Sequence, residues 1–362
     1  MQFPENFSFI ETPDETLESL WQFMMLARDG AKAINVSQVN ISAIDYCANS
    51  VLAALALEAR ASLQTRFRGQ FPTNLEVLEI IVATGLPKVL GVTLPNLPKF
   101  RTLPLIHGGK SGTALDTSSS KEKTAENLVD FLARCVGDYG ARLTRDARRR
   151  FFELLGEVLA NAEDHSGRGD WYVAAYMRRP SPKSIGDCHV VIFSFGQTIE
   201  KSLTTLPLDA ELRTQIESLV EDHSRRRLLH RDWTAENLWT LYALQEGVTR
   251  YYSEVDRGHG TAEMIQAFQD LGRSSDLAKQ PRMCIVSGRT YILFDGTHSM
   301  KLQRVPSGQE RRIIAFNTEN DLRKPPDAGY IRSLEQTFPG TLISMRFYLD
   351  SEYLTGTPRR NE

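Results

Sequence analysis

The chain has only four cysteines, Cys47, Cys135, Cys188 and Cys284, scattered with no C-x-x-C pair among them. That argues against a zinc ribbon or a disulfide framework and suits a reducing compartment. A long hydrophobic run is also missing: the longest, 51–57, is far shorter than a membrane span, and charges follow it. The opening segment, MQFPENFSFIETPDE, has acidic residues early and no basic-then-apolar leader pattern. The expected location is therefore cytoplasmic, with no membrane partner. Excess charge of either sign is absent too, since 43 Lys and Arg stand against 45 Asp and Glu for a net charge of -2. Nucleic acid is not indicated as an obligatory partner by that balance, which leaves room for a local basic patch. No internal repeat is visible.

What is present is the profile of a soluble globular protein, with 41% hydrophobic and 24% charged residues. A length of 362 residues suits two domains better than one. Residues 1–106 read as a small α/β domain. A strand is expected at 33–41, an amphipathic helix at 46–64 and a second strand at 79–83 (EIIVA), and Pro95, Pro98 and Pro104 are expected to break any regular element. Residues 107–123, HGGKSGTALDTSSSKEK, hold too little apolar surface to order themselves and read as a flexible linker. The remainder, 124–362, opens with helices at 126–139 and 144–166. The second has Thr144 placed as N-cap, Gly167 as stop, and an apolar stripe of Phe151, Leu154, Leu155, Val158, Leu159 and Ala162. Strand candidates follow at 171–177, 188–193, 283–286, 291–294, 312–316 and 341–348, with helical stretches at about 200–245 and 261–271. Helix first and then mostly adjacent strands predicts an α/β fold, a two-layer sandwich with helices on one face of a mixed sheet.

The sharpest local pattern is Glu157-x-x-x-Asn161-x-x-x-His165. Spacing of four puts a carboxylate, a carboxamide and an imidazole on one stripe of the helix. Such a set can supply a general base, a metal ligand and a phosphate contact. The same spacing also describes the solvated face of any amphipathic helix, so the motif alone leaves both readings open. Two glycine-bearing turns follow: Ile192-Phe-Ser-Phe-Gly196-Gln-Thr-Ile199 after a buried strand, and Asp256-Arg-Gly258-His-Gly260-Thr261 before a helix. Glycine lets a backbone approach a ligand closely, and a helix N-terminus offers free N–H groups to phosphate.

In this order the residues resemble the GHKL ATPases, the family of gyrase B subunits, MutL-type proteins, the large heat-shock chaperone and sensor histidine kinases. The resemblance covers about residues 140–350. Glu157, Asn161 and His165 match the family's N box, E-x-x-x-N-x-x-x-[HKR]. The segment from Ser194 to Ile199 falls at its first glycine box, D-x-G-x-G-I, and Gly258-His-Gly260 matches the second. Gln245-Glu-Gly-Val-Thr249 looks like the stretch that opens the ATP lid, and Phe338-Pro-Gly340-Thr341 like the closing G-T turn. The resemblance implies a Bergerat-type ATP-binding fold. It implies that Glu157 polarises the attacking water, that Asn161 holds Mg²⁺ through its carbonyl oxygen, and that Gly258, His259, Gly260 and Thr261 cover the triphosphate. His165, Ser194, Gly196, Thr198, Thr249 and Thr341 complete the implied nucleotide set. One oxygen ligand beside phosphates and waters suits Mg²⁺. The chain departs from the pattern where Ser194 replaces the adenine-binding aspartate and Thr198 the second glycine of the first box. A neutral hydroxyl accepts more weakly than a carboxylate, which puts adenine specificity in doubt. Separately, the strand–turn–helix at Val39-Asn-Ile-Ser-Ala-Ile-Asp45 resembles STAS-like domains over roughly 30–90, a pattern that an unrelated strand–helix unit also fits.

His230-Arg-Asp232-Trp-Thr-Ala-Glu-Asn237 has the spacing of a protein-kinase catalytic loop, but the glycine-rich loop, lysine strand and D-F-G that must accompany it are missing. The segment 224–245 therefore reads as a helical insert packed through Trp233, Leu238, Trp239 and Leu241. No histidine opens an H-[ED]-x-x-[NT]-P helix, which argues against a phosphotransfer kinase, and no histidine pair has ligand spacing. The expectation is a Mg²⁺-dependent ATPase whose nucleotide state, through a lid at about 246–260, switches contacts with a protein partner or a second copy. The alternative is a non-hydrolysing nucleotide-binding regulator or an anti-sigma-like serine/threonine kinase.

Overall fold

The computed structural model describes residues 1–92, 94, 101–109, 120–179, 185–207, 210–248, 260–270, 280–304 and 310–349. In chain order the elements are β1 (Asn6–Phe7), α1 (Pro13–Arg28), β2 (Ala33–Ser37), β3 (Ala43–Ile44), α2 (Tyr46–Leu63), β4 (Arg66–Gln70), α3 (Leu75–Ala83), α4 (Leu86–Leu90), β5 (Arg101–Gly109), α5 (Lys121–Gly137), α6 (Arg145–His165), β6 (Asp170–Arg178), β7 (Gly186–Phe195), α7 (Ile199–Thr204), α8 (Glu211–Arg225), α9 (Ala235–Ala243), α10 (Gly260–Asp270), β8 (Arg282–Phe294), β9 (Lys301–Arg304), β10 (Glu310–Ile313) and β11 (Ile331–Leu349). The fold is mixed α/β, with a five-stranded antiparallel sheet in the order β5-β6-β7-β11-β8. Two compact units are built from discontinuous stretches. The first takes Met1–Phe152, Asp170–Ile192 and the chain from Ser344, and the second takes Glu153–Gly169 and Phe193–Ile343.

In the first unit β1 pairs with β3 and β2 with β4, both parallel; β2 precedes α2 in sequence and β4 follows it. Asp45 starts α2 by accepting from the Ala48 N–H at 2.6 Å, and Gln64 ends it in the left-handed region at φ 54°. Asn49 on α2, Thr84 and Gln38 form a buried hydrogen-bonded chain, so these polar groups enter the core without an unpaired amide on Asn49. The expected strand at 79–83 is instead the second half of α3. The Asn74 side chain caps that helix by accepting from the Glu76 N–H at 2.9 Å, and a short apolar run carries too few turns for its period to be read. Glu79 faces inward there and accepts from the Tyr176 hydroxyl at 2.5 Å; burial and then this carboxylate push the phenol well above its usual range. Tyr46 stacks on Tyr176 with centroids 5.4 Å apart.

Pro104 does not break the chain as expected but lies inside β5. That strand is an edge, and its register slips between Leu103 and Ile106, the place where an edge tolerates a missing N–H. Where a linker was expected at 107–123, His107–Gly109 are strand, 110–119 lie outside the described residues, and Ser120 caps α5 by accepting from the Lys123 N–H. The expected mixed sheet is antiparallel. Seven residues separate β6 from β7, and a parallel crossover needs a dozen or more. Arg346 on β11 reaches Asp187 on β7 with two contacts of 3.0 and 2.8 Å.

In the second unit, α6 buries Leu155, Val158 and Leu159 of its expected stripe. β8 is one strand, not the two expected at 283–286 and 291–294. Gly288 carries it through a kink at φ +59°, where a Cβ would lie 2.2 Å from the Glu236 carboxylate. The expected insert at 224–245 holds the end of α8 and all of α9; Trp239 of α9 packs with Leu212 and Ile216 of α8 against Leu203 and Leu206. Trp233 is buried and donates through Nε1 to Nδ1 of His223 at 3.2 Å; His223 Nε2 donates to the Leu322 carbonyl at 3.0 Å. The kinase-like spacing is thus a packed corner. β9 was not anticipated; it pairs with β10 in a small antiparallel hairpin.

Candidate functional site

The site begins on α6. Thr144 starts that helix by accepting from the Ala147 N–H at 3.1 Å, and Gly167 follows its end at φ +70°. Glu157 and Asn161 are half-buried, one turn apart, next to the buried apolar stripe. His165 is the last residue of the helix, and its side chain lies outside the described residues.

Three segments distant in sequence meet beyond the end of α6. β7 ends at Phe195, and Gly196 turns the chain at φ +130° while its N–H donates to the Pro339 carbonyl at 2.8 Å. The next N–H, of Gln197, donates to the Ser166 carbonyl at 2.7 Å, which ties this turn to the end of α6. A Cβ on Gly196 would lie 1.9 Å from that same Ser166 oxygen, and a Cβ on Gly340 (φ +148°) 2.0 Å from the Ser194 oxygen. Both glycines are therefore required by neighbouring backbone, where the sequence suggested room for a ligand. Ser194 itself is only 2% exposed. Thr198, in the position of the missing glycine, caps α7 by accepting from the Lys201 N–H at 3.1 Å. The Ile199 N–H donates to the Ser287 hydroxyl at 2.8 Å, and that hydroxyl lies 2.9 Å from the Thr341 hydroxyl.

The structure thus brings Ser194, Gly196, Thr198 and Thr341 together beside the end of α6. Gly260 is the first residue of α10 and Thr261 is half-buried, while Thr249, Gly258 and His259 lie outside the described residues. Near the turn, burial and then the neighbouring Glu236 carboxylate push the Glu200 carboxyl above its usual range. Glu236 also accepts from the Arg289 N–H at 2.6 Å. Among the described residues no cluster of three or more His, Cys, Asp or Glu is arranged to hold a metal ion. No family model, curated protein or solved structure matches the chain. A functional reading therefore rests on these residues alone.

Sequence reasoning missed Ser166, Ser287 and Glu236. Ser287-Gly288 carries a signal, a small-residue pair interrupting an apolar run, and falls in the gap between the strands expected at 283–286 and 291–294. Ser166 acts through its carbonyl, which no side-chain pattern reports.

Proposed function

We propose that the chain is an ATP-binding protein with a GHKL-type site on a Bergerat-type sandwich, and that it hydrolyses ATP with Mg²⁺. What supports this reading is the convergence of the first glycine turn and the Gly340-Thr341 turn at the end of the helix bearing Glu157 and Asn161. A half-buried carboxamide is a hard oxygen donor suited to Mg²⁺, and a carboxylate one turn earlier on the same stripe is suited to accept a proton from water. Bound Mg²⁺ supplies charge neutralisation at the phosphates, the main requirement of phosphoryl transfer. Asn161 Oδ1 would hold the metal and orient it. Glu157 would take the proton of the attacking water on its carboxylate. Thr341 and Ser194 would face the adenine end, and there the hydrogen bond between Thr341 and Ser287 fixes the hydroxyl's position.

Nucleotide state would then switch contacts to a protein partner or a second copy. We also propose a STAS-like N-terminal portion, supported by the parallel pairing of β2 with β4 and by α2 following β3. Ser194, buried and neutral where a carboxylate is expected, favours a second reading: a non-hydrolysing regulator, or a serine/threonine kinase acting on a partner.

Calorimetric titration with Mg-ATP and a phosphate-release assay on the wild type, Glu157→Ala and Asn161→Ala test these readings. Glu157→Ala is expected to bind ATP normally and lose about 10²–10⁴-fold in turnover, the range for a lost general base. Asn161→Ala is expected to lose Mg-dependent binding. Label transferred to a partner without phosphate release would establish the kinase reading. A wild type that neither binds nor hydrolyses any nucleoside triphosphate ends the proposal.

A further inference from the structure

The N-terminal half of α6, in the first compact unit, is a separate chemical surface. Residues 142–150 (RLTRDARRR) hold five arginines and a single acid, Asp146. Arg148 pairs with Asp130 of α5. Arg142, Arg145, Arg149 and Arg150 are exposed. Arg145, Arg149 and Phe152 stand at i, i+4 and i+7, one stripe of the helix, and Phe152 is an exposed aromatic at 38%.

The charge order along α6 is the reverse of what helix stability favours. Arginines crowd its start, while Glu163 and Asp164 occupy its last turn and no Lys or Arg lies between 151 and 167. In the end turns, where the dipole acts, Arg145 and Arg148 stand with the single acid Asp146 at the start and Glu163 and Asp164 close the helix, so the charge order gives it no dipole stabilisation. The choice of cation is equally one-sided: between Lys123 and Lys183 there are nine arginines and no lysine. Guanidinium forks match phosphate oxygens and stack on bases, and an adjacent exposed aromatic gives a base a face to stack on.

We propose that the Arg142–Phe152 face binds the backbone of single-stranded nucleic acid, with Arg142, Arg145 and Arg149 on phosphates and Phe152 under a base. The proposal is independent of the nucleotide site. The test uses the full chain without ATP and follows fluorescence anisotropy of labelled mixed-sequence single-stranded DNA and RNA of about 20 nucleotides, with a duplex of the same sequence alongside. Between about 50 and 200 mM salt, log K is expected to fall linearly with log salt with a slope near −2, the value for three neutralised phosphates on a single strand. Arg142→Gln, Arg145→Gln and Arg149→Gln combined should weaken binding at least about tenfold and flatten that slope, with the far-UV circular dichroism spectrum unchanged. Phe152→Ala should weaken single-strand binding more than duplex binding. Two results each overturn the proposal: no anisotropy change with any oligonucleotide at about 50 mM salt, or undiminished binding by the triple variant. Capture of phosphatidylserine vesicles with no oligonucleotide binding overturns it as well.

Discussion

Replacing Gly196 by alanine separates a glycine kept for packing from one kept for a ligand. The new Cβ would lie 1.9 Å from the Ser166 carbonyl oxygen and 3.0 Å from its carbon. Because this neighbour is backbone, no side-chain rotation relieves the clash. The carbonyl must retreat by roughly 1 Å or more to reach an ordinary C···O contact. It is also the acceptor for the Gln197 N–H at 2.7 Å, so the retreat breaks the bond that ties the turn to α6. Losing that bond costs about 1–2 kcal/mol, and holding alanine at φ +130° costs another 1–3 kcal/mol or so. Together with residual strain the expected loss is roughly 3–5 kcal/mol, a fall in Tm of about 4–7 °C if all 362 residues unfold together. Thermal and urea unfolding followed by circular dichroism, without nucleotide, measure it. Gly156→Ala is the matched control, since nothing lies within 4 Å of its Cβ and it sits inside α6. There alanine should stabilise by about 0.5–1 kcal/mol through helix propensity. A Gly196→Ala protein melting within about 2 °C of wild type refutes the packing argument. If that protein has also lost ATP binding, the glycine serves ligand approach.

Further outcomes follow from single contacts. Ser287→Ala removes the acceptor of the Ile199 N–H and the partner of Thr341, and should cost about 1–2 kcal/mol in urea unfolding; an unchanged midpoint contradicts the role given to that hydroxyl. His223→Phe leaves the buried Trp233 indole N–H without its acceptor and the half-buried Leu322 carbonyl without its donor, for an expected loss of roughly 1–3 kcal/mol and a changed Trp emission spectrum. Asp187→Asn leaves Arg346 facing a neutral group; the expected cost is about 2 kcal/mol, below that of a fully buried pair because the Arg346 side chain is 37% exposed. Burial opposes ionisation of Asp187, but His189 and Arg346 outweigh it and hold the carboxyl well below the usual carboxylate range. A depressed pKa means that this stabilisation is complete above the unfolded value near pH ~4 and is lost as pH falls below it. Wild type should therefore lose stability faster than Asp187→Asn between about pH 4 and 2, and parallel curves would show that the pair contributes nothing.

Local signals were enough for several elements. Asp45 and Thr144 are caps followed by apolar stripes, so α2 and α6 could be placed close to their ends from residues alone. The runs that became β6 and β7 were legible because strands buried along their whole length read as unbroken apolar segments. The same rule failed for 79–83, where a buried carboxylate and an asparagine cap made helix out of a strand-like run. It failed again at Ser287-Gly288, where a glycine kink looked like a gap between strands.

By itself, the order of residues placed Glu157 and Asn161 on one helical stripe and marked the glycine turn that follows β7. Tertiary structure alone decided that β11 lies between β7 and β8, because those pairings join stretches far apart in the chain and leave no local trace. Only that placement puts Gly340 on the Ser194 carbonyl and the Ser287 hydroxyl between Ile199 and Thr341. A glycine's reason for being glycine depends on what its missing Cβ would strike. At 196 and 340 that is backbone brought in from elsewhere in the chain.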